Sequence, residues 1–162
     1  MRVFGIDPGS EKLGFGVIDF SGSHAHLVDH GVIRANRRWA FARRLCVMHE
    51  GLCETLKRHS PQVVAIEEVF HGRNAKTALR IGECRGVALL AAVQSGATLA
   101  EYAARDVKKA VVGNGAAQKE QVKWMIAQTF GLDRDELPED AADALAICLA
   151  HGQRQQFNAI IG

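Results

Sequence analysis

The chain is 162 residues long, 48% hydrophobic and 23% charged, with 20 Lys and Arg against 18 Asp and Glu for a formal net charge of +2. That length fits one domain with a real core, able to bury roughly 70% of its unfolded surface, and so small a net charge excludes bulk basicity as the attraction to a polyanionic partner. The N-terminus has no uninterrupted apolar signal core, and the longest apolar run, residues 87–93, falls far short of the roughly 20 residues of a membrane helix, so a cytoplasmic protein with no membrane association is expected.

Residues 2–7, 14–20 and 26–33 read as strands, separated by turn signals at Asp7-Pro8-Gly9-Ser10 and Ser21-Gly22-Ser23. Their short connections make an antiparallel meander. Phe41, Leu45, Met48, Leu52 and Leu56 recur at three and four residues, which predicts a helix over 39–59 with one buried stripe. Pro61 restarts the chain as a strand over 62–70, nearly all apolar apart from Glu67 and Glu68, as a central strand covered on both faces requires. A helix over 75–94, a short strand over 98–102 and two or three helices over 105–154 follow. A meander followed by alternating helix and strand gives an α/β fold: a five-stranded mixed sheet, three antiparallel strands then parallel ones, with helices on both faces. The domain takes residues 1–155, and 156–162 form a short tail. Cys46, Cys53, Cys84 and Cys148 show no C-x-x-C spacing and read as small buried hydrophobes in a reducing compartment. The histidines at 24, 26, 30, 49, 59 and 151 are scattered and read as surface residues.

Four acids sit where acids are costly. Asp7 ends the run Val3-Phe4-Gly5-Ile6, Glu67 follows Val63-Val64-Ala65-Ile66, and Asp140 and Asp143 open the otherwise apolar stretch 141–150. A buried carboxylate must be protonated, paired or metal-bound, and no Lys or Arg adjoins any of the four. Oxygen-only ligation suits a hard divalent ion such as Mg²⁺ or Mn²⁺ and not zinc. Each acid has a simpler explanation taken alone: Asp7 as a turn residue, Asp140 as a helix cap. Asp140 and Asp143 are three apart and share a helix face, and that face carries no other polar group. Of Glu67 and Glu68 the pleat lets only one join the cluster, and Glu67 is the choice. Asp7 and Glu67 then end neighbouring central strands, where ligands of open α/β sheets gather.

Arg73, Lys76 and Arg80 follow Phe70 at helical spacing, and Arg85, Arg105, Lys108, Lys109, Lys119 and Lys123 lie further on. Solvated helix faces explain such charges, but beside a metal site they supply the phosphate contacts that dominate nucleic-acid affinity. Phe70 serves either the core or stacking on an unpaired base.

Gly5-Ile6-Asp7-Pro8-Gly9-Ser10 with Gly14-Phe15-Gly16-Val17, Ala65-Ile66-Glu67-Glu68-Val69-Phe70, Gly82-Glu83-Cys84-Arg85-Gly86, Glu101-Tyr102, Val107-Lys108, Val111-Val112-Gly113 and Asp140-Ala141-Ala142-Asp143-Ala144-Leu145-Ala146 occur in that order. Together they make the chain resemble the RuvC family, bacterial Holliday-junction resolvases of the RNase H-like superfamily. The resemblance implies an RNase H-like fold with Asp7, Glu67, Asp140 and Asp143 as catalytic metal-binding acids. It implies Lys108 and Lys119 near the scissile phosphate and Phe70 stacked on a base at the junction centre. It further implies a homodimer nicking opposed strands of four-way junction DNA in recombination and repair, working with the RuvA and RuvB branch-migration proteins.

The expected chemistry is two-metal phosphodiester hydrolysis, with two ions per site and 5′-phosphate ends. Arg73, Lys76, Arg80 and Lys109 are expected DNA contacts. The dimer surface is expected on the helix face near residues 41–56 or on 75–93. A nuclease for another nucleic acid and a catalytically inactive junction-binding protein are the alternatives.

Overall fold

The computed structural model describes residues 1–68 and 75–161, without the side chains of residues 160 and 161. Phe70 and Arg73 lie outside the described residues, as does the expected end of the fourth strand beyond residue 68. The elements run β1 (Arg2–Asp7), β2 (Lys12–Ser21), β3 (His24–Arg34), α1 (Phe41–His59), β4 (Val63–Glu67), α2 (Ala75–Gln94), β5 (Thr98–Tyr102), α3 (Ala104–Val112), α4 (Lys119–Phe130) and α5 (Glu139–Ile161). They form one five-stranded sheet in the order β3-β2-β1-β4-β5, antiparallel across β1, β2 and β3 and parallel across β1, β4 and β5.

Alternation along the strands divides the core in two. Val3, Ile18, Val63 and Ala65 face a layer of α3, α4 and α5 built on Val107, Val122, Ile126, Leu145 and Ile147. Phe4, Ile6, Phe15, Val17, Val64 and Ile66 face α1 and α2 through Met48, Leu52, Leu56, Ala88 and Ala92. β1 and β4 are buried on both faces, which is why their sequences are continuously apolar up to the acid that ends each.

Several boundaries differ from the periodicity. β2 and β3 pair from Lys12–Arg34 to Ser21–His24, because main-chain hydrogen bonding continues past the last buried side chain. α1 starts at Phe41, since Ala40 has ψ 144. α5 continues to Ile161 in place of an end near Arg154 and a separate tail; residues 153–161 contain no Pro or Gly to stop it.

Two of the six histidines read as surface residues are in fact buried. His151 is 3% exposed, with Nδ1 2.8 Å from the Tyr102 hydroxyl, and His59 pairs through Nε2 with Asp29 at 2.8 Å. Their partners come from other elements, so local polarity gives no sign of them. Cys84 and Cys148 are buried as expected, but Cys46 is exposed on the outer side of α1, and all four cysteines are free.

Candidate active site

Pleat parity sorts the acids. In β1, Val3 faces the α5 side while Phe4 and Ile6 face α1, so Asp7 projects toward α5. In β4, Val63 and Ala65 face α5 while Val64 and Ile66 face α1, so Glu67 projects toward α5 and the exposed Glu68 away from it. Ile6 lies opposite Ile66 in the parallel ladder, which sets Asp7 and Glu67 side by side one residue further on.

Helix α5 reaches these strand ends because the facing strand positions Gly5, Gly14 and Gly16 lack a side chain. A Cβ on Gly5 would overlap the carbonyl oxygen of Ala144, and one on Gly14, which pairs with Asp7, would overlap that of Asp140. The helix therefore packs onto backbone, closer than a layer of side chains allows. Its first turns deliver Asp140 and Asp143 to the end of β1, and the Gly14-Phe15-Gly16 motif serves this approach.

Asp7, Glu67 and Asp143 line one cleft of about 210 Å³ with Lys108 and Lys119, walled by Ala104, Val107, Val122 and Ala146. Lys119 is the first residue of α4, whose start is fixed by reciprocal side-chain and backbone bonds between Gln118 and Gln121. Its Nζ donates to Asp143 Oδ2 at 3.0 Å, which offsets the cost of placing a cation at a helix N-terminus. A larger hollow of about 410 Å³ between α1 and α2, lined by Cys53, Lys57 and Gln94, contains no acid.

The cleft carries more negative charge than its lysines balance. Burial, then repulsion from Asp143 and Glu67, pushes the Asp7 carboxyl up to about 8 against the pull of Lys119, with Asp140 the smallest contributor. Burial and Asp143 also raise Glu67, opposed by Lys119 and Lys108. Asp143 in turn raises the Lys119 ammonium. Asp7 and Glu67, held above the ordinary carboxylate range by burial and then by neighbouring negative charge, are donors suited to a hard cation. Among the described residues no three His, Cys, Asp or Glu side chains are arranged to hold a metal ion; the fit lies in donor chemistry and charge, with the Lys119 ammonium meeting Asp143 in this arrangement.

The cleft thus brings together Asp7, Glu67, Asp143, Lys108 and Lys119. Asp140 is half-buried one turn earlier on α5 and does not line it. The other predicted contacts are elsewhere: Lys76 is exposed in the first turn of α2, and the Arg80 guanidinium lies 5.1 Å over the Phe41 ring. Lys109 lines a separate groove with Tyr102, Arg154 and Phe157. Arg85, read from the sequence only as one of several basic residues available for phosphate contacts, instead bonds the Glu67 main chain.

A sheet of this order, covered on both faces and ending in acids beneath an acidic helix, defines an α/β domain of the RNase H-like class. The family described as "Crossover junction endodeoxyribonuclease RuvC" matches residues 3–151. Proteins of that description from Halorhodospira halophila and Caldanaerobacter subterraneus subsp. tengcongensis are 46% and 43% identical, over 95% and 93% of this chain and 91% and 92% of theirs. A solved structure described as "T. thermophilus RuvC in complex with Holliday junction substrate" superposes with a TM-score of 0.89 at 35% identity, covering 98% of this chain and 96% of that one. The chain belongs to the RuvC family of endodeoxyribonucleases, which are metal-dependent nucleases.

Proposed function

We propose that the chain resolves four-way DNA junctions by paired, metal-dependent nicks in opposed strands, leaving 5′-phosphate and 3′-hydroxyl ends. The observation that carries this reading is the meeting of Asp7, Glu67 and Asp143 with Lys119 and Lys108 in one cleft, in a chain whose relatives are junction endonucleases. Asp7, Glu67, Asp140 and Asp143 hold the metal, Mg²⁺ or Mn²⁺, as two ions per site. Such an ion supplies Lewis-acid charge to the scissile phosphate and its attacking water. The carboxylates act as ligands and not as nucleophiles. Lys119, exposed at the mouth of the cleft, neutralises charge that grows on the phosphate. Lys108, on the Glu67 side, holds the phosphate in register, and Lys76, Arg80, Lys109, Phe70 and Arg73 are the further DNA contacts of this reading.

Two opposed nicks need two sites, so a homodimer is part of the proposal. Of the two expected dimer faces, the α1 stripe is used up inside the protomer: Met48, Leu52 and Leu56 are at most 2% exposed. Helix α2 leaves Leu79, Leu90 and Val93 outside at 65%, 52% and 66%, with open space around Gly82 and Gly86 on the same side. That face favours α2 as the dimer contact. RuvA and RuvB as partners, and the cytoplasm as location, belong to the same proposal. No helix among the described residues is long and apolar enough to cross a membrane.

Glu67→Gln and Asp143→Asn test the site. Each should lower junction nicking by several kcal/mol of transition-state stabilisation, roughly 10³-fold. Junction binding in EDTA should persist, because the phosphate contacts remain. Nicking that survives both changes would remove the acids from the mechanism.

A further inference from the structure

We infer that Arg85 is a positioning residue for Glu67, gripping from the far side of the sheet the main chain whose side chain enters the acid cleft. This rests on the reading of Glu67 as a metal-binding acid. Arg85 comes from α2, and its side chain is 19% exposed. Its Nε donates to the Glu67 carbonyl oxygen at 3.2 Å, and its guanidinium also pairs with the Glu101 carboxylate. Glu101 lies opposite Ile66 in the β4–β5 ladder and shares its α2-facing side. The Glu68 amide closes the brace by donating to the Tyr102 carbonyl at 2.8 Å.

The arrangement has a mechanical logic. Glu67 is the last residue of β4, and a strand end is where a ladder opens first. A planar guanidinium holds two acceptors at a fixed angle, which an ammonium on a flexible stem does not. One side chain therefore ties the end of β4 to β5 and α2, while the Glu67 carboxylate projects through the opposite face. Arg85 stands across the sheet from the cleft, so its charge is spent on Glu101 and the backbone and not on a DNA phosphate. Supporting contacts behind a ligand typically set metal affinity or activity by about 10–100-fold.

The test compares Arg85→Ala and Arg85→Lys with the unaltered protein by Mn²⁺ binding without DNA, followed by electron paramagnetic resonance. Junction nicking against Mg²⁺ concentration, junction binding in EDTA and thermal melting complete the set. The expected result for Arg85→Ala is Mn²⁺ binding weakened and half-saturating Mg²⁺ raised by about 10–100-fold, with junction affinity in EDTA unchanged. Arg85→Lys should melt near the unaltered protein and show a smaller shift in the same direction. Unchanged Mn²⁺ binding in both variants overturns the inference. Loss of junction affinity in step with rate also overturns it, by making Arg85 a DNA contact. Failure of both variants to fold would make Arg85 a structural strut and overturn it as well. Glu67→Gln in the same binding assay separates the premise: if it binds Mn²⁺ as the unaltered protein does, Glu67 is not a ligand and the site reading fails independently of Arg85.

Discussion

Asp7 shows what it costs to bury a carboxylate among other carboxylates. Its carboxyl is raised from 3.8 to about 8, chiefly by burial and then by Asp143 and Glu67. A raised folded-state value means that the protonated form is favoured by folding. Its stability contribution is present in full below about pH 4 and is lost as pH rises toward 8. Metal-free melts should therefore show Asp7→Asn increasingly more stable than the unaltered chain from pH 5 to 8, by about 1–2 kcal/mol at the alkaline end, with the gap closing in acid. Added Mg²⁺ should raise the melting temperature of the unaltered chain and have little effect on the variant. A gap independent of pH would show that Asp7 carries no strained charge. The acids were legible in the sequence because an acid ending an apolar run is locally anomalous. The roles of Arg85 and His151 were not, because the Glu67 carbonyl and the Tyr102 hydroxyl they meet are 18 and 49 residues away. Lys119 stood among the basic residues of the chain, but its place at the site came only from the family resemblance, since nothing near it in sequence points to Asp143.

Elements reach the site through how closely α5 packs. Gly14 brings α5 onto the backbone beside Asp7, so Gly14→Ala should destabilise the fold by about 1–3 kcal/mol through overpacking. It should also lower nicking further than that loss of stability explains, because Asp140 and Asp143 move away from β1. Urea midpoints and nicking rates, measured together, check this; a variant as stable and as active as the parent would show that the close approach is dispensable. The mixed sheet with helices on both faces was legible from the meander and the alternation of helix and strand after it, and the pleat is why only one of Glu67 and Glu68 faces α5. The termini of β2, β3 and α5 were misjudged because main-chain pairing and helix propagation continue where apolar periodicity stops. Cys46 was misplaced for a related reason: α1 has one buried stripe, and this thiol lies off it.

At the scale of the whole molecule, the proposed reading gives each cleft one strand to cut and makes paired cutting a property of two copies. Leu90→Asp places a charge in the middle of the exposed α2 face and should convert a dimer to monomers at micromolar concentration without lowering the melting temperature, as read by sedimentation velocity. A variant that stays dimeric would move the interface off α2. The face was half legible: the sequence offered two amphipathic helices, and only the packed fold shows which has its stripe already covered. The most direct test of the central claim uses a synthetic four-way junction with a homologous, mobile core, each strand labelled in turn. It is incubated with Mg²⁺ or Mn²⁺ alongside a linear duplex and an RNA/DNA hybrid. The account predicts symmetric nicks in two opposed strands of the junction alone, abolished by EDTA and by Asp7→Asn; binding without cleavage in either metal, or preferred cutting of the hybrid, would contradict it.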